Sequence, residues 1–401
     1  MTRPLHFVGF LKPAGEYPSG WRHPSSADRA GVDFAFVSEQ VRRLEAAGLD
    51  AVFIPDLVGL PDVSPDVLDR VAVVNDTFEP TTLLAALSAV TERIGLIGTA
   101  STSFASAAAI ADDFGSLHAL SEGRAGWNVV TSLNDAEARN FGHAGHLAHA
   151  DRYAHAGSVA DRVRDAWGEG GPVIAQAGSS PAGRDLAARI ADVVFVRALP
   201  VEETRDFVDD IRSRATGHGR DPAAVKILPE LSAVVARSRS EAREAFAKVR
   251  DLLDPRIALA DLEYWTRTDL AGLPLDGPLP PLPASASHGG SHGGSRGAQE
   301  EIYRQAAREG LTIRDLARQI ADGDGAVVGT AGDVADHIER YADVAGVDGF
   351  TVSFPWVPDT LNAFTDLVVP ELRRRGLFRT HYEGTTIREH LHLDIAQRQR
   401  A

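Results

Sequence analysis

Asn128 stands in the middle of "EGRAGWNVVTS" (122–132), an apolar run opened by Gly and closed by Thr131 and Ser132. An unpaired side-chain amide buried in a strand costs on the order of 1–3 kcal/mol, so Asn128 requires a partner. Small polar groups close the neighbouring apolar runs as well. Asp56 ends "AVFIPD" (51–56), Thr99 and Ser101 end "IGLIGTAS" (94–101) with Thr102 next, and Ser179 and Ser180 end "PVIAQAGSS" (172–180). Four consecutive runs thus finish in hydroxyls, one amide and a single carboxylate. Such a set suits hydrogen bonding to a polar heteroaromatic ligand. It lacks the paired carboxylates or the triad that hydrolysis needs, and no dedicated catalytic residue stands out. Each residue alone also fits a helix cap or a turn; their convergence favours a ligand.

Three further motifs carry chemistry. In "AQAGSSPAGRDLAAR" (175–189) a strand breaks at Gly178, two serines follow, and Pro181 opens a helix. Free backbone N–H groups of that first turn and the two hydroxyls suit a phosphate, with simple N-capping by Ser180 as the alternative. "FGHAGHLAHADRYAHAG" (141–157) places His149 and Tyr153 four apart on one helix face beside Arg152, a face able to hold a phosphate or a ring edge. His143, His146 and His149 lack a carboxylate spaced to complete a metal set, and no metal is expected there or at His288 and His292. "GWRHP" (20–24) would hang over a barrel mouth, with Trp21 as a lid and His23 reaching a substrate, or else form a surface loop anchored by Trp21.

The elements that must position these groups alternate. Apolar strands are predicted at 5–11, 51–56, 94–101, 122–132, 172–180, 192–196, 225–235 and 348–354, with helical patterns between them. Eight strands each followed by a helix predict a (β/α)8 TIM barrel, with ligands meeting the C-terminal strand ends. The rival doubly wound sheet would carry GxGxxG after its first strand, and none is present. The chain is read as a single barrel domain over 1–401, with inserts at 132–150 and 252–330. Within the second, the Pro-rich then Gly/Ser/His-rich 278–298 is expected to be mobile, as a lid or a surface loop.

The 401 residues carry a net charge of -15, with 44% hydrophobic and 24% charged residues. No basic stretch is present, so nucleic acid and anionic membrane are not expected partners. The absence of cysteine excludes disulfides, thiolate metal sites and a Cys nucleophile. The N-terminal apolar stretch is too short for a signal peptide or membrane span, and a cytoplasmic location is expected.

Together, "GWRHP", "TAST", "GRAGWNVVTS", the H-x-D-R-Y of His149 to Tyr153, "AQAGSSPAGRDLAAR" and "VVPELRRRGLFRTHYEGTTIREHL" resemble the nitrilotriacetate/dibenzothiophene-sulfone monooxygenase family, within the luciferase-like flavin monooxygenases. The resemblance covers nearly the whole chain. It implies a barrel that takes reduced FMN (FMNH2) from a separate NAD(P)H:flavin reductase and uses O2 to oxidise a small organic substrate. A homo-oligomer is implied as well. Asp56, Thr102, His149, Tyr153 and Ser180 match the family's FMN-contacting positions, and Asn128 and Ser179 lie in the same motifs. The alternatives within reach are a deazaflavin-dependent oxidoreductase and a non-catalytic flavin-binding protein. Two departures border the expected substrate pocket: a segment missing between Trp167 and Pro172, and "AGEYPSG" (14–20) in place of a His-bearing stretch.

Overall fold

A computed structural model describes residues 4–60, 65–69, 77–132, 135–147, 149–266, 268–282, 296–322 and 325–393. Nine strands are present among them: β1 (His6–Phe10), β2 (Ala51–Ile54), β3 (Gly95–Ser101), β4 (Ala125–Val130), β5 (Val173–Gln176), β6 (Val193–Val196), β7 (Lys226–Val235), β8 (Val327–Gly329) and β9 (Gly349–Ser353). All pair in parallel. The order runs β6-β5-β4-β3-β2-β1-β9-β7, and β6 pairs back onto β7, so eight strands close into a barrel. The expected (β/α)8 architecture is therefore present. Short β8 lies outside the ring, against the end of β7 at Ala233–Val235.

The helices that cover the ring follow from amphipathic spacing and caps. They are α1 (Phe34–Ala46), α2 (Pro80–Ser88), α3 (Ala107–Leu120), α4 (His149–Trp167), α5 (Pro181–Ile190), α6 (Val201–Gly217) and α7 (Arg239–Asp251). A helical run Asp359–Ala363, Phe364–Val368 and Val369–Arg374 closes the barrel after β9, its middle five residues in π-helical form. The insert at 252–330, for which no helix is predicted from the sequence, contains α8 (Pro255–Thr266), α9 (Arg296–Glu309) and α10 (Ile313–Asp322) before α11 (Ala331–Ala345). Ile313, Leu316, Ala317 and Ile320 give α10 an apolar stripe at helical spacing, packed with Ala258 and Leu262 of α8 into a satellite core. Residues 283–295, including His288 and His292, lie outside the described residues.

Two layers of apolar packing position the site. One lies between strands and helices, around Trp127, Phe114, Leu44 and Phe350. The other fills the lower barrel with alternate, inward-pointing residues such as Val8, Phe53, Ile97, Ala175, Phe195 and Leu228. The C-terminal segment plugs this end, adding Ile387, Leu391 and Leu393 to the same cluster.

Three aspartates brace the lower rim. Asp50, Asp192 and Asp348 each precede a strand, and each accepts a hydrogen bond from a neighbouring strand: from Phe7 N (2.7 Å), Ile174 N (2.9 Å) and Ile227 N (3.0 Å). Asp50 is fully buried and also holds His6 Nδ1 (3.0 Å) and Arg379 of the C-terminal segment. Burial pushes its carboxyl up, but Arg379, His6 and the hydrogen bonds outweigh this and hold it below the usual carboxylate range. Its contribution to stability is thus present above that range and is lost as the pH falls through the lowered folded-state value. Asp50→Asn strands the largely buried guanidinium of Arg379 and is expected to cost about 3 kcal/mol in urea unfolding. Asp366→Asn breaks only the exposed pair with Arg43 and should cost less than about 1 kcal/mol. Equal costs for the two substitutions would refute the bracing role of Asp50.

Candidate active site

At the opposite end the strand termini open into a cavity of about 1030 Å³, large enough for a cofactor and a substrate together. Asp56, Thr99, Asn128 and Ser179, four of the strand-end residues singled out from sequence, line it. Its floor is aromatic. Phe53 meets Phe10 edge-on at 5.0 Å and stacks on Phe195 at 4.9 Å between ring centroids, so the cavity is sealed from the plugged end by rings.

Asn128 points inward from β4 and is 3% exposed. The Thr99 hydroxyl donates its one proton to Ile54 O (3.0 Å) and can therefore only accept from Asn128 Nδ2 (3.1 Å). That chain fixes the amide's orientation and leaves Asn128 Oδ1 as a buried acceptor with no partner among the described residues. It is set to take a proton donor from a ligand. Gln176 Oε1, at the end of β5, is a second buried acceptor without a partner among the described residues. Asp56 is partly buried in the wall, and burial, reinforced by Glu79 and Glu137 against one backbone hydrogen bond, pushes its carboxyl up.

The remaining strand-end hydroxyls turn inward on the chain itself. Ser101 and Ser132 bond each other (2.8 Å), the Thr102 hydroxyl donates to Val130 O (3.0 Å), and Ser103 donates to Thr131 O (2.7 Å). Here the turn reading accounts for the residues: they knit the ends of β3 and β4 together, and Thr102 does not line the cavity. Tyr153 packs against the outer core. His149 opens α4, but its side chain lies outside the described residues. His143 and His146 surround the ring of Phe104, which stacks on Phe141 at 4.4 Å. His23 stacks on Trp356 at 5.1 Å and bonds Ser25, while Trp21 is exposed beneath Arg22; neither lines the cavity.

The "AQAGSSPAG" turn is built by a backbone contact. A Cβ on Gly178 would meet the backbone of Gly183 at 2.6–2.7 Å, so the end of β5 and the first turn of α5 touch where no side chain fits. Ser180 caps α5 by accepting from Gly183 N (3.1 Å), as the simpler alternative required, while Ser179 faces the cavity. Arg184 joins the wall, its Nε on Ser179 O (2.9 Å) and its Nη1 on Asp210 (3.1 Å).

Sequence reasoning missed Arg184, Arg197 and Glu230 as cavity residues. Glu230 was the most findable: a lone carboxylate in an apolar strand raises the question that Asn128 raised. Of the two family departures, "AGEYPSG" does border the cavity through Glu16, Tyr17 and Pro18. The missing segment does not. The five residues joining α4 to β5, turned by Gly168 and Gly170 at positive φ, reach β5 from the plugged end, where Arg388 donates to Gly171 O.

A closed parallel barrel with a ligand cavity among its C-terminal strand ends defines a TIM-barrel enzyme site. The class narrows further by comparison with known proteins. Residues 18–348 match the family model described as luciferase-like monooxygenase. The chain is 40% identical to one subunit of pristinamycin IIA synthase from Streptomyces pristinaespiralis, over 99% of each chain. It is 36% identical to nitrilotriacetate monooxygenase component A of Aminobacter aminovorans, over 96% of each. Among solved structures, a riboflavin lyase with modified FMN and riboflavin superposes with a TM-score of 0.80 at 29% identity, covering 97% of this chain and 96% of that one. The chain belongs to the luciferase-like monooxygenase family, as its motifs led one to expect, and is a flavin-dependent monooxygenase.

The glycine contact gives a direct test. Gly178→Ala must push β5 and α5 apart and is expected to cost about 1–3 kcal/mol by overpacking. Gly217→Ala, which meets only open space at the end of α6, should be neutral or slightly stabilising. Thermal unfolding of the two variants side by side checks this; an unchanged Gly178→Ala would show that the turn does not depend on the contact.

Proposed function

We propose that this chain is the oxygenase component of a two-component system. It takes reduced FMN from a separate NAD(P)H:flavin reductase and, with O2, oxidises a small organic substrate. The observation that carries the reading is Asn128 Oδ1: a buried acceptor with a fixed orientation, facing a cavity of cofactor size. A ring N–H of the flavin is the kind of donor it lacks. Thr99 holds the amide, and Asp56 adds a polar edge beside it. Ser179, the start of α5 and Arg184 offer hydroxyl, N–H and guanidinium groups to a phosphate, which suits FMN rather than riboflavin.

When bound, reduced FMN supplies two electrons, so that one atom of O2 enters the substrate and the other leaves as water. The chain's own part is containment. Phe10, Phe53 and Phe195 keep water from entering through the barrel, and α10 covers one side of the mouth through Ile320 and Ala321. Thr102, His149 and Tyr153 remain proposed flavin neighbours through the family motifs, and His23 remains a proposed substrate contact only if the loop at 20–24 changes position. The whole chain is proposed to act as one barrel domain.

The test is anaerobic titration with FMNH2, FMN and a reduced deazaflavin, followed by isotopically labelled O2 and a substrate panel. FMNH2 should bind best, with label appearing in a product. Asn128→Leu should weaken FMNH2 binding by about tenfold or more while leaving the unfolding midpoint nearly unchanged, because both the amide and its hydrogen-bonding demand are removed. Preference for the deazaflavin, or product without label, would reject the proposal.

A further inference from the structure

The cavity has two unlike walls. Counted around the ring, β9 lies four strands from β4 and is therefore directly across the mouth from Asn128, with β7 beside it. Along β7 the inward positions are Leu228 in the core, then Glu230 and Ser232 in the cavity. Glu230 pairs in register with Thr351 of β9, and its Oε1 accepts from Ser353 Oγ (2.9 Å), which aims the carboxyl into the cavity. Among the described residues it makes no direct ion pair.

Its surroundings are short of positive charge. Glu16, Asp56, Glu203, Asp206 and Glu230 all line the cavity. The two guanidinium groups there are committed away from Glu230: Arg184 to Asp210, Ser179 O and, in the proposed reading, the flavin phosphate, and Arg197 over the ring of Trp265 at 5.2 Å. Lys12, whose charge also acts on Glu230, is bound to Glu16 (2.9 Å). Burial raises the Glu230 carboxyl above its usual range, and Glu16 raises it further, with Ser353, Arg197 and Lys12 offsetting only part of this. An anionic substrate would add a like charge to this wall. A neutral one would leave the carboxylate uncompensated. An ammonium group relieves both costs.

We propose that Glu230 is the specificity-determining residue of the site and that the substrate is an organic amine, its ammonium held by Glu230 with Ser353 fixing the carboxylate. This rests on the monooxygenase reading, in which the flavin takes the Asn128 wall and leaves this one to the substrate. Glu16 and Tyr17, from the stretch where the chain departs from the family pattern, stand on the same wall and narrow it to a small amine. Glu230 positions the substrate and takes no part in oxygen transfer.

The test uses FMN-loaded protein and three probes with one ring: benzylamine, benzyl alcohol and benzoate, titrated calorimetrically at neutral pH. Benzylamine should bind about tenfold or more tighter than benzyl alcohol, with benzoate weakest. Glu230→Gln, which keeps an acceptor for Ser353, should abolish that preference while leaving FMN affinity within about twofold. Glu230→Asp, which keeps the charge, should retain the preference in part. Tightest binding by benzoate, no binding of benzylamine at millimolar concentration, or an ammonium preference that survives Glu230→Gln would each overturn the proposal. FMN titration of the same preparation reads the cofactor separately, so failure to bind FMN refutes the flavin reading and not the amine preference.

Discussion

A buried carboxylate under the barrel, Asp50, is the constraint on which the rest depends. A closed parallel ring leaves backbone N–H groups at the rim where its strands begin, and each must find an acceptor away from water. Asp50, Asp192 and Asp348 meet that demand at three places around the rim. Each is also tied to an arginine: Asp50 to Arg379, Asp192 to Arg220 and Arg388, and Asp348 to Arg212. Two of those arginines, 379 and 388, belong to the C-terminal segment. The charges that set the register therefore also anchor the plug formed by Ile387, Leu391 and Leu393. A hydrophobic plug alone would be non-directional; the ion pairs give it one position.

With the bottom closed, the top is free to be polar. Along each inward face the residues pass from Val, Ile and Leu, through the rings of Phe53 and Phe195, to Thr99, Asn128, Glu230 and Thr351. This gradient is costly for stability, because Asn128 keeps an unmet acceptor and Glu230 a half-buried charge. The satisfied rim offsets the cost. Division of labour between the two ends explains why substitutions near Asp50 and near Asn128 should report on different properties, the first on folding and the second on ligand binding.

The eight barrel strands were legible because each is a short, nearly continuous apolar run, as a strand buried on both faces must be. The serine turn was legible because Gly178 and Pro181 leave few conformations for the segment between them. The strand-end hydroxyls were only half legible. Period-2 alternation distinguishes Thr99 and Asn128, which face inward, from their neighbours, but beyond the last ladder hydrogen bond that period lapses. Ser101, Thr102 and Ser132 therefore had to be seen to be assigned. The helices of the 252–330 insert were obscured by the Pro- and Gly-rich stretch next to them, although the stripe on α10 was readable. Glu230 was passed over because its strand otherwise reads as core. Chemistry in such a strand shows as a single residue out of character.

The stretch that departs from the family pattern is not loose, and this bears on how specificity is held. Glu16 N donates to Phe354 O (2.8 Å) and Tyr17 N to Pro355 O (3.0 Å), so the loop after β1 extends along the chain leaving β9. Gly15, at φ 91°, has no room for a side chain against Pro355 and Trp356. Tyr17 is buried edge-on against Phe246 of α7. Glu16 and Tyr17 are thus fixed to the scaffold by backbone bonds and packing on both sides. Change in such a segment alters which groups face the cavity without disturbing the strand that carries Glu230 or the amide of Asn128. A rigid wall discriminates by the charge and shape it presents, whereas a mobile lid would adapt to its ligand. In the proposed reading, selectivity accordingly resides where β1, β7 and β9 meet, and cofactor recognition where β3, β4 and β5 end.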